Sequence, residues 1–369
     1  MQGKKLIVKF AAKGQDSFYD TVKLRVEEYF RANNLKKTAN RKMKIKTAVM
    51  LSLYFVPLIV ILAGLTSPSL VLFYGAWILM GLGIVGIGTS VMHDSNHGSY
   101  SNNKTVNSIF GNILNFIGGY APNWRIQHNV LHHTYTNLDG LDEDIEAGFM
   151  LRMSPNKPRK KFHRFQHIYA WFLYMLMNLF WITAKDYRQI VKYAKEDLLR
   201  KEKLTLRKAI IELSLLKVLY FTYILALPIM FSGFEWYHVV GGFVIMHMIA
   251  GLSLALIFQP AHVMETSSFP DPPPTRKMED TWAVHQLLNT TNFGTGSTVT
   301  GWFIGGLNFQ IEHHLFPQIC HIHYPKIAPI VEQVAKEFNL PYNVQPTFAH
   351  AIFEHGRMLK ILGEGQETA

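Results

Sequence analysis

The chain has 369 residues, 49% of them hydrophobic and 13% aromatic, a size that fits either two soluble domains or one membrane-embedded unit with cytosolic extensions. Its formal charge of +11 and pI near 9.5 would suit nucleic acid or anionic lipid headgroups equally well; the long apolar runs favour lipid, with no nucleic-acid partner. Cys320 is the only cysteine, which excludes disulfides within the chain, cysteine-ligated iron–sulfur clusters and multi-cysteine zinc sites.

Met1 to Phe10 carries lysines but no apolar stretch ending in a small-residue cleavage site, so no cleaved signal peptide is expected and insertion falls to internal spans. Residues 15–33 place Phe18, Val22, Val26 and Phe30 four apart among charges, which predicts an amphipathic helix on the protein or membrane surface, starting near Asp16 or Ser17. A basic stretch, Lys36, Lys37, Arg41, Lys42, Lys44 and Lys46, completes a segment covering 1–46. An uncharged run from Thr47 to Leu65 follows, and a bilayer core needs about 20 such residues. The turn Thr66-Ser67-Pro68-Ser69 leads to a second run, Leu70 to Met92, so 47–92 reads as a transmembrane hairpin.

The polar stretch 93–212 is interrupted at 108–121 and 168–184 by apolar pieces, short for a span and rich in Gly, Asn or aromatic residues. They read as re-entrant, interfacial or buried helices. A second hairpin occupies 213–258, its runs 213–231 and 237–258 joined by Ser232-Gly233-Phe234-Glu235-Trp236. A hydrophilic region, 259–369, closes the chain, with Pro270-Asp271-Pro272-Pro273-Pro274 as a rigid loop. The expected fold is an all-α integral membrane protein: four transmembrane helices in two hairpins, with a helical cytosolic cap. Lys and Arg crowd the segment before the first span and the central loop, while both short turns lack them, so both termini and the central loop are expected to be cytosolic.

The 17 histidines are unevenly placed. His93-Asp94-Ser95-Asn96-His97 sets two histidines at i and i+4, on one helix face with Cβ atoms about 5–6 Å apart. His128-Asn129-Val130-Leu131-His132-His133 repeats that pair and adds an adjacent ring turned about 100° round a helix, toward a second metal. Gln310-Ile311-Glu312-His313-His314 carries another adjacent pair, and His262 stands alone just beyond the fourth span. A lone histidine is more often a surface or hydrogen-bonded core residue than a ligand. Three groups assigned to one cytosolic face, each near a span end, are not explained in that way. Eight imidazoles exceed the roughly four to six ligands of one ion, so a pair of ions is expected; imidazole suits Zn, Cu, Fe and Ni, which leaves the metal open.

In order and placement around two hairpins, the three boxes resemble the membrane fatty-acid desaturase family over about Met92 to Ile327. The stretch Gly305-Gly306-Leu307-Asn308-Phe309-Gln310-Ile311-Glu312-His313-His314-Leu315-Phe316-Pro317 is similar to the front-end acyl desaturases, whose third box opens with glutamine in place of histidine. Those enzymes act between an existing double bond and the carboxyl end. The resemblance implies two non-haem iron ions, O2 as co-substrate, and removal of two hydrogens from adjacent methylenes of a fatty acyl chain, carried as a CoA thioester or lipid-bound. Carried over residue by residue, it implies His93, His97, His128, His132, His133, His313 and His314 as ligands. His262, in Gln259-Pro260-Ala261-His262-Val263, is similar to a further family ligand that follows the last span.

Gln310 and His285 are candidates for direct or water-mediated contact. Asp94, Glu312, Asp142 and Asp144 are candidate acceptors from ligand imidazoles, fixing their tautomers; for Asp142 and Asp144 a solvated loop acid is the plainer alternative. Trp124 and Trp302 precede the second and third boxes as candidate walls of an acyl tunnel, against core packing as the default. Many eukaryotic front-end enzymes carry a fused cytochrome b5 with a His-Pro-Gly-Gly motif, which these 369 residues lack. A separate electron donor is therefore expected, such as ferredoxin or cytochrome b5 with its reductase, drawn to the basic cytosolic surface.

Three alternatives share these features. An acyl-chain or alkane hydroxylase would use the same iron centre. A histidine-rich membrane metal transporter would need ionisable groups lining its spans, where the only histidines are His238 and His247. A membrane zinc hydrolase would use the same imidazoles.

Overall fold

Helix α1 (Ser17–Ala32) buries Phe18, Val22, Val26 and Phe30 along one face, as their spacing requires. In this structure, a computed structural model describing residues 8–11, 17–67, 69–272 and 274–365, that face packs on a C-terminal helix around Val331 and Val334 and not on lipid. Asp16, Pro68 and Pro273, invoked above for a helix start, a turn and a loop, lie outside the described residues, as does most of the Met1–Phe10 segment.

Five helices among the described residues are long and apolar enough to cross a membrane: α2 (Arg41–Leu62), α3 (Leu70–Asn96), α4 (Lys161–Lys195), α5 (Leu206–Phe231) and α6 (Trp236–His262). Three begin on side-chain caps that satisfy orphan amide N–H groups: Asn40 accepts from Met43, Ser69 from Leu72 and Thr205 from Lys208. Their outer faces carry exposed apolar side chains, Val71 at 81%, Met230 at 70% and Leu215 at 67%, as a lipid-facing surface does. Helix α6 is the centre of the bundle, packing on both α3 and α4, while α2 packs on α3.

Three segments take a form that apolar run lengths alone do not give. The apolar piece 168–184 is the middle of the 35-residue α4, the least apolar of the five, and Lys185, Asp186, Arg188, Lys192 and Lys195 occupy its end. His262, read as just beyond the fourth span, is the last residue of helix α6, which continues through Pro260. The piece 108–121 is broken into Lys104–Gly111, a 3₁₀ turn Asn112–Ile117 and a new helix at Ala121.

Several polar side chains within the bundle are paired. Lys217 Nζ lies 2.7 Å from Asp186 and 2.6 Å from the carbonyl of Gly118. His247 is held between Asn178 at 2.8 Å and Tyr220 at 2.7 Å, and His238 meets Tyr74 at 2.9 Å, so neither span histidine is an unpartnered group on an ion path. Beyond α6, two short parallel strands, β1 (Asn292–Phe293) and β2 (Val344–Gln345), tie the third-box region to α7 (Tyr324–Glu337) and α8 (Phe348–Glu364).

Candidate metal centre

The first box grows directly out of a membrane helix. Helix α3 contains a π-helical turn, Ile87–Val91, immediately before Met92–Asn96, and this wider turn sets the direction of His93 and His97, whose ring centroids are 4.7 Å apart. The second box is itself π-helical over Arg125–His132. With bonds spanning five residues, His128 comes round to His133, Nε2 to Nε2 3.1 Å, while His132 faces a different set of rings. In the third box, Gln310–Leu315 forms a short α-helix whose adjacent rings, His313 and His314, stand 82° apart.

Eight histidines converge in two groups. His93, His97, His128 and His313 each offer a ring nitrogen within 4.8 Å of the others, and so do His132, His262 and His314; His133 joins His313 and His314 between them. His128 and His132, the i, i+4 pair of the second box, stay neighbours beside Asp144, while His132 also turns to His262 and His314 from a helix that is locally π.

The donor set fits metal ions. The Nε2 atoms of His93 and His128 are 3.2 Å apart, those of His128 and His133 3.1 Å, and those of His133 and His313 3.0 Å. Burial, reinforced by neighbouring rings, holds the pKa of His97, His128, His133, His313 and His314 well below the usual imidazole value. A neutral ring presents either its proton or its lone pair at such a contact, and the tautomers that turn lone pairs inward form a donor set that a cation would satisfy. Buried Nε2 atoms of His97, His262 and His314 have no protein partner. The opposite nitrogens are anchored: His262 Nδ1 donates to the Asn289 carbonyl at 3.0 Å, His314 Nδ1 to Gln286 Oε1 at 2.8 Å, and His132 Nδ1 lies 3.1 Å from both oxygens of Asp142 and 3.3 Å from Asp144. That arrangement fixes the Nε2 lone pair inward, as metal-binding histidines require. Burial opposes charge on His132, yet Asp142 and Asp144 prevail and raise its pKa to about 9.

The remaining candidates separate. Asp94 receives His321 Nδ1 at 2.8 Å and lies 3.8 Å from His93 Nδ1. Glu312 points away from the rings and accepts from Tyr342 at 2.8 Å and Asn292 at 2.9 Å; burial pushes its pKa up to about 7. Gln310 is buried with its amide nitrogen unpartnered. His285 is turned elsewhere, Nε2 bonding the Thr136 carbonyl at 2.8 Å and Nδ1 meeting Asn289 at 3.3 Å, with burial lowering its pKa to about 4. Trp124 stacks on His128 at 4.4 Å, whereas Trp302 is 43% exposed with Lys46 over its ring.

Sequence reading missed Gln286, one position beyond His285, and Asn289, both of which orient ligand candidates through folded contacts. It also missed His321 and Lys46, which bear on Asp94. The pair Gly305-Gly306 has a geometric cause: both have positive φ, and a Cβ on Gly305 would run into the Thr89 carbonyl oxygen and one on Gly306 would meet His321 Cβ at 3.0 Å. The glycines press the third-box segment onto the π turn that precedes the first box.

Apolar helices ending in a buried, two-centred histidine cluster define a membrane protein whose site is suited to metal. A family model described as fatty acid desaturase matches residues 67–346, and the chain belongs to that family. It is similar to the sn-1 linoleoyl-lipid 6-desaturase of Synechocystis sp., 34% identical over 97% of this chain and 98% of that protein. The protein of the same name from Arthrospira platensis is 35% identical, covering 93% and 92%. The acyl-lipid (8-3)-desaturase of Physcomitrium patens is 36% identical over 98% of this chain and 74% of its own length. With these relatives, the chain is a front-end fatty acid desaturase, an oxidoreductase that introduces a double bond into a fatty acyl chain.

Proposed function

We propose that the eight histidines hold two irons and that the enzyme desaturates acyl chains carried on membrane lipid. The observation that carries the reading is the division of the rings into two groups whose metal-facing nitrogens converge while Nδ1 atoms of one group are held by Asp142, Gln286 and Asn289. Two irons bound there would supply dioxygen activation. The overall balance is one acyl –CH2–CH2– unit, O2, two electrons and two protons giving –CH=CH– and two waters. Asp142 and Asp144 orient His132, and Asp94 faces His93. Gln310, an amide where many relatives in the family have an imidazole, is proposed as a direct or water-mediated contact. Trp124, flat against His128, is proposed as apolar wall beside the acyl chain.

The lipid carrier is supported by relatives named for linoleoyl-lipid and acyl-lipid substrates. Electrons come from a separate donor, a ferredoxin or a cytochrome b5 with its reductase, attracted by the net charge of +11. Four crossings, with both termini and the histidine boxes cytosolic, are supported by parity. Helices α4, α5 and α6 lie between the second and third boxes, whose His133 and His313 nitrogens are 3.0 Å apart. Three complete crossings would put those boxes on opposite faces, so α4 is proposed to lie along the interface through its charged end.

The test is expression in a host lacking polyunsaturated lipids, with defined fatty acids supplied and products analysed by lipid class. The expected product has lost two hydrogens on the carboxyl side of an existing double bond, in the lipid fraction. Gain of one oxygen instead identifies a hydroxylase, and activity retained with stoichiometric zinc ends the iron reading. Tags near residues 160 and 67 are expected on opposite faces.

A further inference from the structure

Lys46 is an anomaly in helix α2. It is 2% exposed, at the start of a membrane-spanning helix where lysines usually extend to the interface. Its Nζ lies 2.8 Å from His321 Nε2. His321 Nδ1 lies 2.8 Å from Asp94 Oδ2, and the His321 backbone N–H is 3.3 Å from the same oxygen. The other carboxylate oxygen, Oδ1, is the one that lies 3.8 Å from His93 Nδ1. Four buried side chains from three separate segments thus form one line from the membrane helix to the first histidine box. None of Lys46, His321 or this connection is a ligand in the reading above.

The chemistry of the line fixes its direction. An ammonium group has only donors, so Nε2 of His321 accepts and its single ring proton sits on Nδ1, facing Asp94. Remove the lysine and His321 is free to carry the proton on Nε2, which turns a lone pair toward the Asp94 carboxylate and loosens it. His93, when its Nε2 serves a metal, carries its proton on Nδ1, on the side of Asp94. A carboxylate held by His321 favours that tautomer, and it is the only carboxylate in contact with His93 among the described residues. Lys46 also supplies the countercharge without which Asp94 would be a buried, uncompensated anion.

We propose that Lys46 is a positioning residue for the metal centre, acting through His321 and Asp94 on His93. The proposal rests on the two-metal reading, and the test separates the two. Wild-type protein loaded with iron, Lys46→Met, His321→Ala and the double variant are exposed to a chelator, and iron release and the Mössbauer spectrum are followed. Lys46→Met is expected to release one of the two irons about tenfold faster, with a changed signature for that iron and the other unaltered, as loss of an orienting partner does. Because Lys46 acts through His321, the double variant is expected to match His321→Ala alone; additive effects would overturn the proposal. So would wild-type release and spectrum in Lys46→Met. Wild type holding a single metal would instead defeat the two-metal reading itself. If Lys46→Met fails to fold because Asp94 is left unpaired, Lys46→Met/Asp94→Asn restores neutrality. One iron there is expected to stay labile, and wild-type retention overturns the proposal.

Discussion

On the side of the centre formed by His132, His262 and His314, every Nδ1 faces an oxygen at 2.8 to 3.1 Å: a carboxylate, a backbone carbonyl and an amide. On the side formed by His93, His97, His128 and His313 the support is looser. His93 Nδ1 has no hydrogen-bond partner, and His313 Nδ1 reaches the Tyr324 hydroxyl only at 3.4 Å. The bridging His133 also leaves Nδ1 unpartnered. Rings whose outer nitrogen is fixed lose less freedom on binding metal and are better bases. The difference teaches that the two proposed metal positions are unequal: one tightly oriented, the other open to adjustment.

The largest effect should follow removal of a ligand on the anchored side. His314→Ala is expected to abolish turnover and leave no more than one iron per chain, measured by metal analysis of folded protein. Full activity in that variant would remove His314 from the centre. Asp142→Asn comes next, because it weakens the contact that orients His132 and leaves the ring itself in place. Metal affinity or activity should fall about 10–100-fold. An equal loss on replacing Glu312, whose partners are Tyr342 and Asn292, would break the distinction between carboxylates that face rings and those that do not.

Much of this contrast was invisible in the linear chain, though its ingredients were not. The boxes were legible because they are local: His93 and His97 are one helical turn apart, and apolar run lengths located the helices that carry them. The division of the second box was not, since the i, i+4 rule assumes α-helix and Arg125–His132 is π. Gln286, Asn289, His321 and Lys46 act through contacts between distant segments, and no spacing rule reaches them. Helix α1 illustrates the same limit. Its apolar stripe was readable, but whether it met lipid or protein depended on α7, some three hundred residues away in sequence.

Gln310 sharpens the comparison with a smaller effect. Its unpartnered amide nitrogen lies in the same short helix as His313, and Gln310→Ala should reduce turnover several-fold and iron content less than His313→Ala does. Wild-type turnover and iron would make it a packing residue.

The smallest effect concerns Glu312 in metal-free protein. Burial raises its pKa to about 7 from an ordinary value of 4.5, so the folded state favours the protonated acid. Its contribution to stability is fully present below about 4.5 and is lost as pH rises through about 7. Glu312→Gln should flatten the melting temperature of chelator-stripped protein across that window; an unchanged pH slope would show that the carboxyl is solvated in the folded state.

The central claim is two unequal metal positions built from eight histidines. It is tested most directly by counting iron in purified active enzyme while a chelator removes it. The account predicts about two irons per chain released in two phases, the faster one from the His93, His97, His128 and His313 side and therefore still present in His132→Ala. One metal per chain, or two irons lost together in a single phase, would contradict it.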